Sequence, residues 1–247
     1  MFGIPAPTEF DVRFQLFGVP TRINPFFWVM AAFLGANLRD GPTFVLWIVA
    51  VLISILVHEF GHALTGKLFG EQPSVILHGF GGLCTSGGVA QTVRQRFLVL
   101  LMGPIAGFLF LTAVILSVAA FQRVSPLTVW ELEIDGTAPF LRFLSFLFYI
   151  NLIWGLINLL PVFPLDGGQI ALLFISHWNR RNGVRWSFIV SLVTGGLVAI
   201  FLAQREQYMS AIMFGYLGFQ SYQTLQSLQQ QGTYSDPIEA DDDWWKR

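Results

Sequence analysis

The stretch VHEFGHALTG, residues 57–66, decides how this sequence is interpreted. It follows a run, residues 41–57, that contains no charged side chain. A helix that crosses a bilayer needs about 20 mostly apolar residues, so this run and its continuation to about residue 69 predict a membrane span. Ionisable side chains are costly inside a bilayer and usually mark a functional site. His58, Glu59 and His62 therefore require a functional explanation.

The composition also indicates a membrane protein. Of the 247 residues, 54% are hydrophobic and 12% are charged, whereas soluble domains carry about 25% charged residues. The formal net charge of −1 provides no basic excess, so no nucleic-acid partner is expected. Cys84 is the single cysteine of the sequence, which excludes an intrachain disulfide and a cysteine-rich metal site.

Intervals without charged residues predict an all-α polytopic membrane protein with about six transmembrane helices. The six intervals are residues 23–38, 41–57, 97–122, 143–165, 186–204 and 208–222. Residues 169–178 would add a half-helix. Glu9 and Asp11 lie where a signal peptide has its basic start and apolar core, so no cleaved signal is expected.

The basic residues of the connecting segments predict the orientation of these helices. With the N-terminus inside, the cytoplasmic side carries Arg13, Arg22, Lys67, Arg94, Arg96, Arg180, Arg181 and Arg185. The opposite side carries Arg39, Arg123, Arg142 and Arg205. This excess favours cytoplasmic N- and C-termini, and the absence of targeting signals favours a prokaryotic plasma (inner) membrane.

A glycine-rich segment, PSVILHGFGGLCTSGGVAQT (residues 73–92), separates the second predicted span from the third. It is too polar and too rich in glycine for a helix, so we expect a loop or a short hairpin that enters the membrane partway. Irregular backbone at that depth is tolerated only where protein or a water-filled cavity covers it.

The spacing of His58 and His62 predicts a metal site. Residues i and i+4 of a helix lie on one face, so both imidazoles can bind one Zn²⁺. Glu59 is offset around the helix and can reach a metal-bound water as a general base. The alternative is that the three polar groups lie at the cytoplasmic end of the span and reach water there. The cost of three ionisable groups in an apolar helix favours zinc.

A catalytic zinc normally has three protein ligands, which leaves His78, His177 and Asp166 as candidates for the third. Asp166 is the strongest, because it lies in NLLPVFPLDGG (residues 158–168), where two prolines break the helix after an apolar run. The predicted topology also puts Asp166 near the cytoplasmic side of the membrane, where the two histidines are expected. The alternatives are a helix-end aspartate in a loop, a loop histidine at His78 and an interfacial His177.

These motifs together resemble the site-2 protease family of intramembrane zinc metalloproteases. The resemblance covers VHEFGHAL, the GFGG loop, MGPIAG (residues 102–107) and NLLPVFPLDGG, within a core of about residues 42–170. It implies that His58, His62 and Asp166 bind one Zn²⁺ and that Glu59 is the catalytic base. Gly107 departs from the family, since many members have asparagine at the end of that motif.

The resemblance also implies how a substrate binds. Asn158 matches a family asparagine that would hold the substrate carbonyl or its oxyanion. The loop residues Gly79, Phe80, Gly81 and Gly82 match the membrane-embedded hairpin that is thought to pair with an unwound substrate.

The expected domain organisation is a minimal form without PDZ or CBS domains. It consists of a cytoplasmic segment (1–22), a transmembrane metalloprotease domain (23–225) and an acidic tail (226–247). The tail is polar, so disorder is expected.

The predicted function is zinc-dependent cleavage of transmembrane segments of single-span membrane proteins, with the lipid bilayer as the surrounding partner. Two alternatives belong to other classes. One is a transporter or channel with a zinc site in its helix bundle. The lack of an internal repeat in the sequence argues against it. The other is a non-proteolytic protein that binds membrane clients, against which the intact Glu59 argues.

Overall fold

The computed structural model describes residues 6–38, 40–79, 81–85, 87, 92–124, 126 and 139–230. The order of elements in these residues is β1 (Val12–Leu16), β2 (Val19–Ile23), α1 (Pro25–Leu34), α2 (Gly41–Leu68), β3 (Ser74–His78), β4 (Gly81–Thr85), α3 (Val93–Gln122), α4 (Pro139–Asn158), α5 (Asp166–Trp178), α6 (Gly183–Gln204) and α7 (Tyr208–Gln230). The chain divides into two compact units, one of residues 2–90 and 102–156, the other of residues 1, 91–101 and 157–247.

Four of the described helices, α2, α3, α4 and α6, are long and apolar enough to cross a membrane. The predicted count of six is not confirmed. Helix α1 has 10 residues, about half the length that a crossing requires. Helix α7 has 23 residues, but glutamines recur along its second half and lower its hydropathy. The 13-residue helix α5 covers the residues for which the sequence suggested a half-helix.

A small sheet corrects the all-α prediction. Strands β1 and β2 pair antiparallel, β2 and β3 pair parallel, and β3 and β4 pair antiparallel, which gives the order β1-β2-β3-β4. Residues 12–16, VRFQL, alternate apolar and polar side chains, which is the period of a strand with two different faces. A five-residue strand is too short to appear as a charge-free interval of about 20 residues.

The glycine-rich segment forms the β3–β4 pair, in register from Ser74 opposite Thr85 to His78 opposite Gly81. Phe80, which lies between the two strands in the sequence, is outside the described residues, as are residue 86 and residues 88–91. Pairing accounts for the backbone hydrogen-bonding groups that a loop in lipid would leave unsatisfied. The depth of this pair in a membrane stays a prediction.

The sheet packs on the part of helix α2 that carries the polar motif. Val19 and Leu77, from β2 and β3, are fully buried and belong to one cluster with Ile55, Phe60 and Ala63 of α2. Burying large apolar side chains stabilises such a cluster by about 1.5–3 kcal/mol each. Protein, rather than lipid, therefore covers this face of α2.

In the second unit, polar contacts join α6, α7 and the segment before α5. The Ser191 and Ser221 hydroxyl oxygens lie 2.7 Å apart, and the Phe163 amide donates to Ser191 Oγ at 2.8 Å. Helix α7 continues to Gln230, so the first residues of the predicted tail are helical. The tail from residue 231 onward lies outside the described residues.

Candidate metal centre

The two histidines of helix α2 have the geometry of ligands to one metal ion. Both are buried, and their Nε2 atoms lie 3.3 Å apart. Two nitrogens bound to one tetrahedral zinc at about 2.0–2.1 Å are separated by about 3.3–3.4 Å. His58 and His62 therefore fit a shared zinc without rearrangement.

Two glycines on other elements make room for this motif. A Cβ at Gly103 of helix α3 would lie 2.1 Å from His62 Nε2, and a Cβ at Gly82 of strand β4 would lie 2.2 Å from Glu59 Cγ. Real Cβ atoms essentially never approach another heavy atom closer than 3.0 Å. Backbone of α3 and β4 thus lies directly against the imidazole and the carboxylate side chain.

A third glycine lets helices α2 and α3 approach closely. A Cβ at Gly61 would lie 2.2 Å from the Met102 carbonyl oxygen, which belongs to helix α3. Gly61 separates Glu59 from His62, so the closest contact of the two helices occurs within the motif itself. Small residues at such contacts allow the backbones of membrane helices to pack.

Asp166 begins helix α5, after the break at residues 159–165. Its side chain is buried, at 7% exposure. The next two residues must be glycine, because a Cβ at Gly167 would lie 2.2 Å from the Leu159 oxygen and one at Gly168 would lie 2.4 Å from the Phe163 nitrogen. The broken helix thus folds back tightly on itself and directs a carboxylate from the first turn of α5, where the helix dipole favours negative charge.

The potential ligand atoms of His58, His62 and Asp166 all lie within 4.8 Å of one another. Two imidazoles and one carboxylate, with a fourth position left for water, form a donor set of catalytic zinc sites. The residues present therefore fit a zinc ion.

The other histidine candidates do not belong to this group of ligands. His78 ends strand β3, where it pairs with Gly81. His177 lies in the last turn of α5 and is exposed.

The residues assigned to substrate binding by resemblance lie on two elements. Asn158 ends helix α4 and is buried, at 7% exposure. Gly79 and Gly81 lie on either side of the turn between β3 and β4, and Gly81 has a φ of +121° that favours glycine. Phe80 lies outside the described residues. The roles of these residues stay predictions.

Sequence reasoning missed a polar contact one turn before His58. The Asn151 amide, in the middle of apolar helix α4, donates to Ser54 Oγ at 2.9 Å and to the Leu147 oxygen at 2.8 Å. Asn151 and Ser54 are 3% and 1% exposed. An asparagine inside an apolar helix was the signal, since polar groups in membrane helices mark interhelical contacts. The bond fixes α4 against the face of α2 that carries His58.

The profile of Peptidase family M50 matches residues 46–202. The Rip3 protein of Mycobacterium tuberculosis is 29% identical over 184 residues, which are 72% of this chain and 44% of Rip3. The zinc metalloprotease MJ0392 of Methanocaldococcus jannaschii is 28% identical over 173 residues, or 68% of this chain and 46% of that protein. The chain thus spans less than half the length of these curated relatives.

The fold is similar to that of a solved structure. The site-2 protease from Methanocaldococcus jannaschii superposes with a TM-score of 0.57 and 22% sequence identity, over 87% of this chain and 95% of that one.

Proposed function

We propose that this chain, which belongs to peptidase family M50, is a zinc-dependent endopeptidase that cleaves membrane proteins within the bilayer. The observation that carries the proposal is the convergence of three buried ligand groups, two of them from one helix turn, with Glu59 on the same turn. A structural zinc site needs no general base. Glu59 is 5% exposed, and burial of a carboxylate has a cost that a catalytic role explains.

His58, His62 and Asp166 would hold the ion, which when bound acts as a Lewis acid and lowers the pKa of water. Glu59 accepts a proton from the attacking water and transfers it to the leaving amine nitrogen as the peptide bond breaks. The Cγ of Glu59 lies against the backbone of Gly82. This contact limits the rotamers that the Glu59 side chain can adopt.

Substrate binding would use Asn158 and the strand β4. The Asn158 amide would donate a hydrogen bond to the substrate carbonyl oxygen, where negative charge develops. Strand β4 is the last strand of the sheet in the described residues, and an extended segment of the substrate would pair with its outer edge. A helical substrate must unwind before it can pair in this way, and Gly79, Phe80, Gly81 and Gly82 would receive it.

The proposed substrates are transmembrane segments of single-span membrane proteins, cut near their cytoplasmic ends. In support, Lys67 lies in the last turn of α2, one helical turn beyond His62, and basic residues favour the cytoplasmic side. The same proposal includes cytoplasmic termini, a prokaryotic plasma membrane, six crossings that include α1 and α7, and a membrane-embedded β3–β4 pair.

Replacement of the base tests the function. Glu59→Gln should lower cleavage of a single-span substrate in proteoliposomes by about 10²–10⁴-fold, with one zinc per chain retained in elemental analysis. The matched control is Glu206→Gln, which removes an exposed carboxylate outside the motif. Normal cleavage by Glu59→Gln would contradict the assigned base. Zinc flux into the liposomes, without cleavage by the unmodified protein, would favour the transporter.

A further inference from the structure

A groove lies at the turn between helices α5 and α6. It has a volume of about 270 Å³ and is lined by Phe174, Ile175, Trp178, Asn179 and Trp186. Phe174 also packs edge-on against Phe97, with ring centroids 5.1 Å apart. The peptidase mechanism uses none of these residues.

The two tryptophans are unusually exposed. Trp178 is 94% exposed and Trp186 is 52% exposed. Such exposure of large apolar rings is unfavourable in water, but tryptophan is enriched at the boundary between lipid and water. Helix α6 is long and apolar enough to span a membrane and begins at Gly183, so the groove lies at the end of a membrane helix, where headgroups are found.

The segment that joins α5 to α6 is basic in sequence. Arg180, Arg181 and Arg185 are all exposed, and the sequence contains no aspartate or glutamate between Asp166 and Glu206. This segment therefore carries an excess of positive charge. The orientation expected from the basic residues puts it on the cytoplasmic side, where anionic lipids attract such clusters.

Two hydrogen bonds close the turn that carries Arg180 and Arg181. The backbone amide of Asn182 donates to Asn179 Oδ1 at 3.1 Å, and the backbone amide of Gly183 donates to the Asn179 carbonyl oxygen at 2.7 Å. A Cβ at Gly183 would lie 2.4 Å from Ser176 Cα, so α6 begins tightly against α5. A fixed turn lowers the entropy cost of binding a ligand.

We propose that this groove binds one anionic phospholipid. An acyl chain lies between Trp178 and Trp186 and packs on Phe174 and Ile175. The phosphate contacts the guanidinium groups of Arg180, Arg181 and Arg185. The carboxylates of an acidic peptide could bind the arginines equally well, but they would not fill an apolar groove that opens beside a membrane helix. The combination of apolar lining and positive rim favours a lipid.

Native mass spectrometry of the full chain in neutral detergent tests this site, with phosphatidylglycerol and phosphatidylcholine of identical acyl chains as probes. Phosphatidylglycerol should bind at least about tenfold more tightly, because each basic side chain near an anionic headgroup adds to the attraction. Replacement of Arg180, Arg181 and Arg185 by Gln should remove this preference. Replacement of Arg13, Arg123 and Arg205 by Gln removes the same charge elsewhere and should leave the preference intact.

A second variant tests the apolar half of the site. The unmodified protein should bind long-chain phosphatidylglycerol more tightly than a dihexanoyl form, and Trp178→Ala with Trp186→Ala should reduce that difference. Equal binding of the two headgroups, or no effect of the arginine replacements, would overturn the proposal. Displacement of the lipid by inorganic phosphate or by an acidic peptide at similar concentration would overturn it in favour of a soluble ligand.

Discussion

The glycines around helix α2 differ from those that join helices α6 and α7. At Gly82 and Gly103, an added Cβ would lie 2.1–2.2 Å from atoms of Glu59 or His62. At Gly195 the nearest atom, the Phe214 oxygen, would lie at 3.2 Å, and at Gly196 nothing lies within 4 Å. The first set makes room for functional side chains, whereas the second set allows two helices to pack.

This difference separates two uses of one residue type. Around α2, glycine is required because polar side chains of the motif occupy the space that a Cβ would fill. In the α6–α7 pair, the contacts are close to ordinary van der Waals distance, and a small shift of a helix can relieve them. Alanine substitutions should therefore damage chemistry in the first region and only packing in the second.

The largest effect is expected at Gly103. Gly103→Ala forces the His62 ring to move, because the new methyl group would overlap Nε2. Zinc affinity should fall at least about tenfold, with a matching loss of cleavage, measured by zinc titration and by a substrate assay. Gly107→Ala, one turn later on α3, is the control, since its nearest neighbour is Asn151 Oδ1 at 3.9 Å. Equal zinc affinity in the two variants would refute the contact.

A smaller and different effect is expected at Gly82. Gly82→Ala displaces the Glu59 side chain, which is flexible, and leaves both histidines in place. Cleavage should fall by about 10²-fold, as expected for a misplaced catalytic group, while bound zinc remains at one per chain. Gly87→Ala, whose Cβ meets nothing within 4 Å, should retain normal cleavage. Loss of zinc from Gly82→Ala would show that β4 supports the ligands rather than the base.

The C-terminal pair should respond in stability alone. Gly195→Ala should destabilise the protein by about 1–3 kcal/mol, the usual range for overpacking. Its neighbour Gly196 faces open space, so Gly196→Ala should leave stability unchanged or raise it by about 0.5–1 kcal/mol. Thermal unfolding in detergent measures both. Zinc content should stay constant, and its loss in either variant would blur the distinction between the two regions.

The smallest effect is expected at Asp11, which ties the start of the chain to strand β2. Hydrogen bonds from Thr8, and then Arg22 at 2.8 Å, lower the pKa of Asp11 to about 2. A lowered pKa stabilises the folded state above the ordinary aspartate pKa of 3.8, and this contribution is lost as pH falls through about 2. Asp11→Asn should therefore lower the melting temperature at pH 6, and the difference should shrink between pH 4 and 2. A difference in melting temperature that does not change with pH would show that the charge of Asp11 is not its cause.

The family and the zinc cofactor could be predicted from the sequence because their signals are local. The histidine spacing fixes two ligands on one helix face, and the prolines before Asp166 mark a broken helix. The family prediction is confirmed by the match over residues 46–202. The sheet could not be found in the same way, because β2 pairs in parallel with β3, about 50 residues away in sequence, and no local spacing encodes that pairing.

Composition and helical period, which are properties of neighbouring residues, were enough to indicate a membrane protein and a motif that is predicted to bind zinc. The contacts of Gly103 and Gly82 with His62 and Glu59, the bond between Asn151 and Ser54, and the two tryptophans that line a groove at the α5–α6 turn became visible only in three dimensions. These contacts join elements by packing. Their distances depend on how close two backbones come, and no spacing along the chain specifies that.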